Sequence, residues 1–256
     1  MISRRYRTIT KAVNKTFWNS SSETLHSYYV GSYGRGTSIN TSDLDVLVEL
    51  PNIEKSHFML LTGNGPSRLL QAVKEAILEI YPRTDVRGDG QVVVIYFSDG
   101  MKFEVLPAFR NVNSFTGFWN GTYIYPDTHM GGNWKSTNPL AEQQAMAEKN
   151  GNNSSNGLLF DTCKHLRYVR DHYFSSYHLS GILIDSFAYD TINDWHWLRE
   201  GEESSGISLG TYEQQLLNSY NYYCQIGKPS IKAPGSGMQV SCQDWDILGK
   251  VLNKLI

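Results

Sequence analysis

The run Asp43-Leu-Asp-Val-Leu-Val-Glu-Leu50, stopped by Pro51, constrains the fold of this chain more than any other segment. Successive side chains of a strand point to opposite faces, so Leu44, Val46 and Val48 face a core while Asp43 and Asp45 share the other side. Two carboxylates side by side are costly unless a cation neutralises them. The polar, glycine-containing stretch Ser32 to Ser42 leads into this strand, and the short strand Tyr28-Tyr-Val30 ends at Gly31 just before it.

Other segments supply partners for that strand. Tyr6, Ile9, Val13 and Phe17 fall at helical spacing, which predicts an amphipathic helix over 3–17. Pro66-Ser67 opens a second helix carrying Leu69, Leu70, Val73, Ile77 and Ile80, closed at Tyr81-Pro82. Two strands follow, Gln91 to Phe97 and Lys102 to Leu106, joined by the turn Ser98-Asp-Gly100. The first half is therefore a mixed α/β lobe. Asn150-Gly-Asn-Asn-Ser-Ser-Asn156 is the most polar segment and the best linker, giving lobes 1–150 and 151–256. Beyond it the pattern is helical, with apolar faces at Leu159/Cys163/Leu166/Tyr173, Leu179/Ile182/Leu183/Phe187, Leu216/Leu217/Tyr220/Cys224 and Trp245/Leu248/Val251/Leu252/Leu255. A cleft between the lobes is the expected place for a ligand.

Composition narrows the class. At 256 residues the chain is long enough for a core, and 40% hydrophobic against 19% charged residues excludes a disordered chain. A formal net charge of −2 argues against an obligate binder of long nucleic acid. No stretch approaches the roughly 18 apolar residues of a membrane span, and Met1-Ile-Ser-Arg-Arg-Tyr-Arg7 does not read as a secretion signal. Three cysteines (163, 224 and 242) without a C-x-x-C argue against both a disulfide framework and a zinc ribbon. The expectation is a soluble cytoplasmic protein.

The chemistry concentrates in three places. Gly31-Ser32 follows a strand, so its backbone N–H groups and the serine hydroxyl suit phosphate oxygens. Ten residues (33–42) separate Ser32 from Asp43-Leu-Asp45, whose hard oxygen donors suit Mg²⁺ held together with substrate phosphates. The strand Lys102-Phe-Glu-Val-Leu106 adds Glu104, a third acid that would complete a two-metal site and take the proton from an attacking hydroxyl. Lys164, Arg167 and Arg170, at i, i+3 and i+6, form a basic stripe, although for each of them singly a solvated face is the favoured reading over a ligand contact.

Gly-Ser, a spacer, Asp-x-Asp and a later third acid resemble the nucleotidyltransferase fold of the DNA polymerase β superfamily. Gly31-Ser-Tyr-Gly-Arg-Gly-Thr37 with Ser42-Asp-Leu-Asp45 and Phe103-Glu-Val-Leu-Pro-Ala-Phe109 is similar to its oligoadenylate synthetase and cGAS/DncV-like branch, and most of all to bacterial members with a SMODS-type domain. Asn64–Lys74, Asp89–Val93, Gly131-Gly-Asn-Trp134, Thr137-Asn-Pro139 and Ser180–Asp185 extend the resemblance over most of residues 1–200.

The resemblance implies an α+β fold: a polymerase β-like mixed-sheet lobe, its N-terminal helix packing across lobes, a C-terminal helical lobe, and the active site between them. It implies an enzyme that condenses NTPs into cyclic or short linear oligonucleotide second messengers and releases pyrophosphate, in bacterial antiphage (CBASS) signalling. A nucleotidyltransferase acting on another acceptor and a silent nucleotide sensor are the alternatives. Asp43, Asp45 and Glu104 would bind two Mg²⁺ ions, with Mn²⁺ as a substitute, and Gly31 and Ser32 would grip the donor triphosphate. Phe174-Ser-Ser-Tyr-His178 resembles a segment in which a serine meets phosphate and a tyrosine stacks on a base, which maps to Ser176 and Tyr177, although Tyr177 reads equally as a core aromatic. Many relatives carry Arg-x-x-Lys-x-Trp where this chain has Lys164-His-Leu-Arg167 followed by Tyr168 and Val169. Which of Lys164 and Arg167 holds the triphosphate is therefore open. The implied partners are nucleoside triphosphates, with no zinc, membrane or long nucleic acid; a monomer is expected, with a regulatory partner protein an open addition.

Overall fold

A computed structural model describes residues 1–40, 43–203, 206 and 208–256, so Ser42 of the acidic motif lies outside the described residues. In chain order the elements are α1 (Ile2–Phe17), β1 (Ser27–Tyr29), α2 (Gly31–Gly34), β2 (Leu44–Leu50), α3 (Asn52–Leu60), α4 (Gly65–Leu78), β3 (Asp85–Asp89), β4 (Val92–Tyr96), β5 (Lys102–Val112), β6 (Trp119–Asp127) and β7 (Asn133–Thr137). There follow α5 (Pro139–Asn150), α6 (Leu158–Tyr173), α7 (Gly181–Thr191), α8 (Thr211–Gln225), β8 (Ser230–Lys232), β9 (Gln239–Ser241) and α9 (Trp245–Asn253). They form two compact units, Met1–Gly31 with Asp43–Pro139 and Ser32–Ser42 with Leu140–Ile256. No helix among the described residues is long and apolar enough to cross a membrane.

The first unit is a seven-stranded mixed sheet in the order β1-β2-β5-β4-β3, with β6 on the C-terminal half of β5 and β7 beyond it. Only β2 and β5 run parallel; every other pairing is antiparallel. Val46, Val48, Val93, Ile95, Phe103 and Val105 are fully buried and form the floor of the core. Helices α1, α3 and α4 pack against it, α3 through Phe58. α1 contributes Ile9 and Val13, and the Tyr6 hydroxyl donates to the Ser27 carbonyl at 2.7 Å. α4 starts where Asn64 accepts the Ser67 N–H at 2.9 Å and Pro66 occupies the first turn, and it buries Leu69, Leu70, Val73, Ala76 and Ile77.

The sequence pattern placed α1, α4 and the central strands correctly, and Asn138-Pro139 marks the start of α5, but it did not show α3, β3, β6 or β7. The reason is local. α3 buries Phe58 alone, and β3 buries only Val86, so neither has a periodic apolar face. Gly121 and Pro126 interrupt the pattern of β6.

The second unit is helical, with a core of Leu166, Leu183, Ile184, Phe187, Leu248, Val251 and Leu252. Its start at Leu140 precedes the polar stretch 150–156, because α5 sends Met146 into the core with Leu159 and Cys163. The polar stretch is a built turn: Asn150 Oδ1 accepts the Phe160 N–H at 2.8 Å, and Ser155 is buried. At the centre of this unit lies Asp185, fully buried. Its Oδ2 accepts from Arg35 Nε at 2.8 Å, Arg167 Nη2 at 2.7 Å and the Thr37 hydroxyl at 2.9 Å, while Arg35 also pairs with Glu142 at 3.1 Å.

Burial alone would push the Asp185 carboxyl up, but the Arg167 and Arg35 guanidiniums hold it below the ordinary aspartate value. Removing it leaves two guanidiniums buried with less counter-charge. Asp185→Ala is expected to lower unfolding free energy by about 3–5 kcal/mol, read from the urea midpoint at neutral pH. A depressed folded pKa stabilises fully above the ordinary carboxylate range near pH ~4 and is lost as pH falls through the folded value, so the variant should lose part of the acid sensitivity of the wild type.

Candidate active site

The parallel pairing of β2 with β5 sets Leu44 against Phe103 and Asp45 against Glu104. Leu44 and Phe103 point into the core, at 4% and 0% exposure. The alternation then sends Asp45 and Glu104 to the opposite face from adjacent strands, and both are partly exposed. Asp43, just before β2, is exposed on the same side.

These acids do not stand alone. Lys102, two residues before Glu104 and therefore on its face of the strand, places Nζ 2.6 Å from Glu104 Oε1 and 2.8 Å from Asp43 Oδ2. Partial burial would lower the Lys102 pKa, but hydrogen bonds and charge from Asp43 and Glu104 outweigh it and hold the ammonium well above its ordinary value. Lys102 was not singled out from the sequence. Its signal was the same i, i+2 alternation that placed Asp43 beside Asp45.

Gly31 follows β1 directly and has φ +57°, the left-handed region open to glycine. A Cβ at this position would overlap the Asp45 carboxylate. The Val30 N–H donates to the Asp45 carbonyl at 2.9 Å, tying this corner to the start of β2. A bare backbone at Gly31 is thus what lets the carboxylate sit against the turn. Ser32 is buried at 8% exposure, and its carbonyl accepts the Thr37 N–H at 2.9 Å, closing the loop that follows.

Among the described residues no three histidines, cysteines, aspartates or glutamates converge into a ready-made metal cage. The donor set nevertheless suits a hard divalent ion: three carboxylates lie at the ends of neighbouring strands, and an ammonium already stands as a cation between two of them. Asp43, Asp45 and Glu104 are the residues that would hold such an ion.

The basic stripe expected on α6 is not a stripe in the structure. Arg167 turns inward, 3% exposed, with its guanidinium committed to Asp185 and to the Gly181 carbonyl at 2.9 Å. The physical reason is the buried aspartate, whose charge draws Arg167 into the core of the unit. Arg170 donates to the Leu179 carbonyl at 3.0 Å and pairs with Asp171. Lys164 is partly exposed and lies over the Phe160 ring at 5.9 Å. Ser176 is exposed, and Tyr177 is half-exposed with the Lys250 ammonium 4.5 Å from its ring centroid. Tyr177 is therefore a surface aromatic in this unit rather than a core one, and Lys164, Arg167 and Tyr177 engage three different neighbourhoods.

The model of the Second Messenger Oligonucleotide or Dinucleotide Synthetase (SMODS) domain family matches residues 1–150. A Bacillus cereus (strain VD146) protein named as a probable cyclic nucleotide synthase is 24% identical over 195 residues, 73% of this chain and 55% of that protein. This chain thus spans about half the length of that curated relative. The structure of the Elizabethkingia meningoseptica CdnE cyclic dinucleotide synthase with GTP and Apcpp matches with a TM-score of 0.66 at 14% identity, over 98% of this chain and 89% of that one. The STING-associated CdnE c-di-GMP synthase of Capnocytophaga granulosa matches with a TM-score of 0.64, also at 14% identity, over 99% of this chain and 79% of the other. At these identities the structural matches establish the fold: a polymerase β-like mixed-sheet unit accompanied by a helical one.

The Gly31 geometry carries its own test. Gly31→Ala adds left-handed strain of about 1–3 kcal/mol and displaces the Asp45 carboxylate. Gly100 also has a positive φ, +84°, but open space around it. Urea denaturation should therefore show a larger loss for Gly31→Ala than for Gly100→Ala.

Proposed function

Since the chain belongs to the SMODS family, we propose that it is a metal-dependent nucleotidyltransferase that condenses nucleoside triphosphates into cyclic or short linear oligonucleotide second messengers and releases pyrophosphate. The observation that carries the reading is the parallel register that sets Asp45 opposite Glu104, with Asp43 on the same side and Gly31 against Asp45. Antiphage signalling in bacteria is the setting in which such a product has a use.

Residue roles follow from the chemistry of the step. Asp43, Asp45 and Glu104 hold divalent cations, which when bound supply Lewis-acid stabilisation of the charge on the transferring phosphoryl group. Gly31 and Ser32 meet the donor triphosphate through backbone and hydroxyl. An acceptor ribose hydroxyl attacks the α-phosphorus, the bond to the bridging oxygen of the β-phosphate breaks, and pyrophosphate departs. Glu104 takes the acceptor proton as the P–O bond forms. The reading of nucleoside triphosphates as substrates is supported by the Elizabethkingia relative, described with GTP and Apcpp.

In the helical unit, Lys164 is the better candidate of the two cations for a triphosphate, since Arg167 is committed to Asp185. Tyr177 has an exposed ring on which a base can stack, worth roughly 1–3 kcal/mol. Ser176 beside it offers a hydroxyl to phosphate.

The test is incubation of the purified protein with all four labelled NTPs and Mg²⁺ or Mn²⁺, with no added acceptor, followed by phosphatase and separation. A phosphatase-resistant product, absent from the Asp43→Asn/Asp45→Asn variant, is expected. Glu104→Gln should lower its rate by about 10²–10⁴-fold, the usual range for loss of a positioned base. A product that forms only on addition of a tRNA, protein or small-molecule acceptor would replace this reading with acceptor modification. Equal product from the wild type and the double variant would remove these acids from the chemistry.

A further inference from the structure

We propose that Lys102 is a built-in counter-ion of the acidic site, and that a divalent cation binds there by displacing its ammonium. The inference deepens the reading of Asp43, Asp45 and Glu104 as cation ligands and rests on it.

The strand register makes the contact. Lys102 opens β5 and pairs across the antiparallel ladder with Tyr96 of β4, while its neighbour Phe103 pairs with Leu44 of β2 on the other side. One residue further out, Asp43 precedes Leu44 and Lys102 precedes Phe103, so the two side chains meet at the mouth of the parallel pair. The ammonium bridges Asp43 Oδ2 at 2.8 Å and Glu104 Oε1 at 2.6 Å, the short distances of charge-assisted hydrogen bonds. It thereby takes oxygen atoms from two of the three carboxylates that would ligate a metal.

The ammonium occupies one oxygen each of Asp43 and Glu104 with its N–H donors, and a divalent cation arriving a few ångströms away would repel it. The lysine side chain is 27% exposed, and its flexible four-carbon stem gives the head a route to water. Withdrawal of the head would free the two carboxylates at modest cost, because partly exposed ion pairs are weak. Lys102 thus offsets the mutual repulsion of the acids before a metal arrives and sets a threshold for metal occupancy.

The test is Mn²⁺ binding without nucleotide, followed by electron paramagnetic resonance, on the wild type, Lys102→Met, Lys102→Arg and Asp43→Asn/Asp45→Asn. Lys102→Met is expected to bind Mn²⁺ roughly tenfold tighter than the wild type, the order of two partly exposed ion pairs released. Lys102→Arg, which keeps the charge, should stay near the wild-type value. Circular dichroism of each variant shows that the fold is retained, and Lys102→Gln replaces Lys102→Met if the methionine variant does not fold.

Unchanged or weaker binding by Lys102→Met, with binding lost in the double aspartate variant, would overturn the displacement and leave the acidic site standing. Binding that survives the double aspartate change would overturn the site reading itself, and the role of Lys102 with it.

Discussion

Like charges on adjacent parallel strands are the constraint on which the first unit turns. β2 and β5 pair so that Asp45 and Glu104 are register partners, while Leu44 and Phe103, one step away, are both buried. The apolar set cannot leave the core, and a slip of one residue would drive carboxylates into it. The core therefore enforces the proximity of the acids. Their repulsion has to be met by a cation, and the ammonium of Lys102 meets it in the structure. What suits the site to a metal and what keeps it stable without one are consequences of the same register.

The helical unit solves a different electrostatic problem. Asp185 has no exposure, and a carboxylate so placed is tolerable only when paired and hydrogen-bonded. Arg35, Arg167 and Thr37 all reach the same oxygen. Arg35 and Thr37 come from the glycine-containing loop after β1, so the buried aspartate fixes that loop to α6 and α7 within the unit. This explains why Ser32–Ser42 groups with the C-terminal helices despite its place in the chain. The same charge pulls Arg167 away from solvent. Cys163, also buried in this region, has its thiol pushed up chiefly by burial and is a packing group.

Much of this was legible in the residues. The alternation through Asp43–Leu50, the helical spacing of α1 and α4 and the turn before β5 all carry periodic signals, because each element buries one regular face. Elements that bury a single residue, such as α3 and β3, carry no such signal and became visible only with their partners in place. The stretch 150–156 misled for a related reason. Its polar side chains accept backbone N–H groups of the first turn of α6, so its composition reflects capping rather than the free chain of a linker.

The acids, their alternation with core residues and the bare backbone at Gly31 can be read from the residues alone, since strand period and glycine's freedom are local properties. Which charges neutralise which was decided only by tertiary structure. Lys164, Arg167 and Arg170 look equivalent along a helix, yet Asp185 on the neighbouring α7 selects Arg167. Lys102 looks like any exposed strand lysine until β2 lies beside β5. Ion pairing depends on distance between residues far apart in the chain, and no local period encodes that distance.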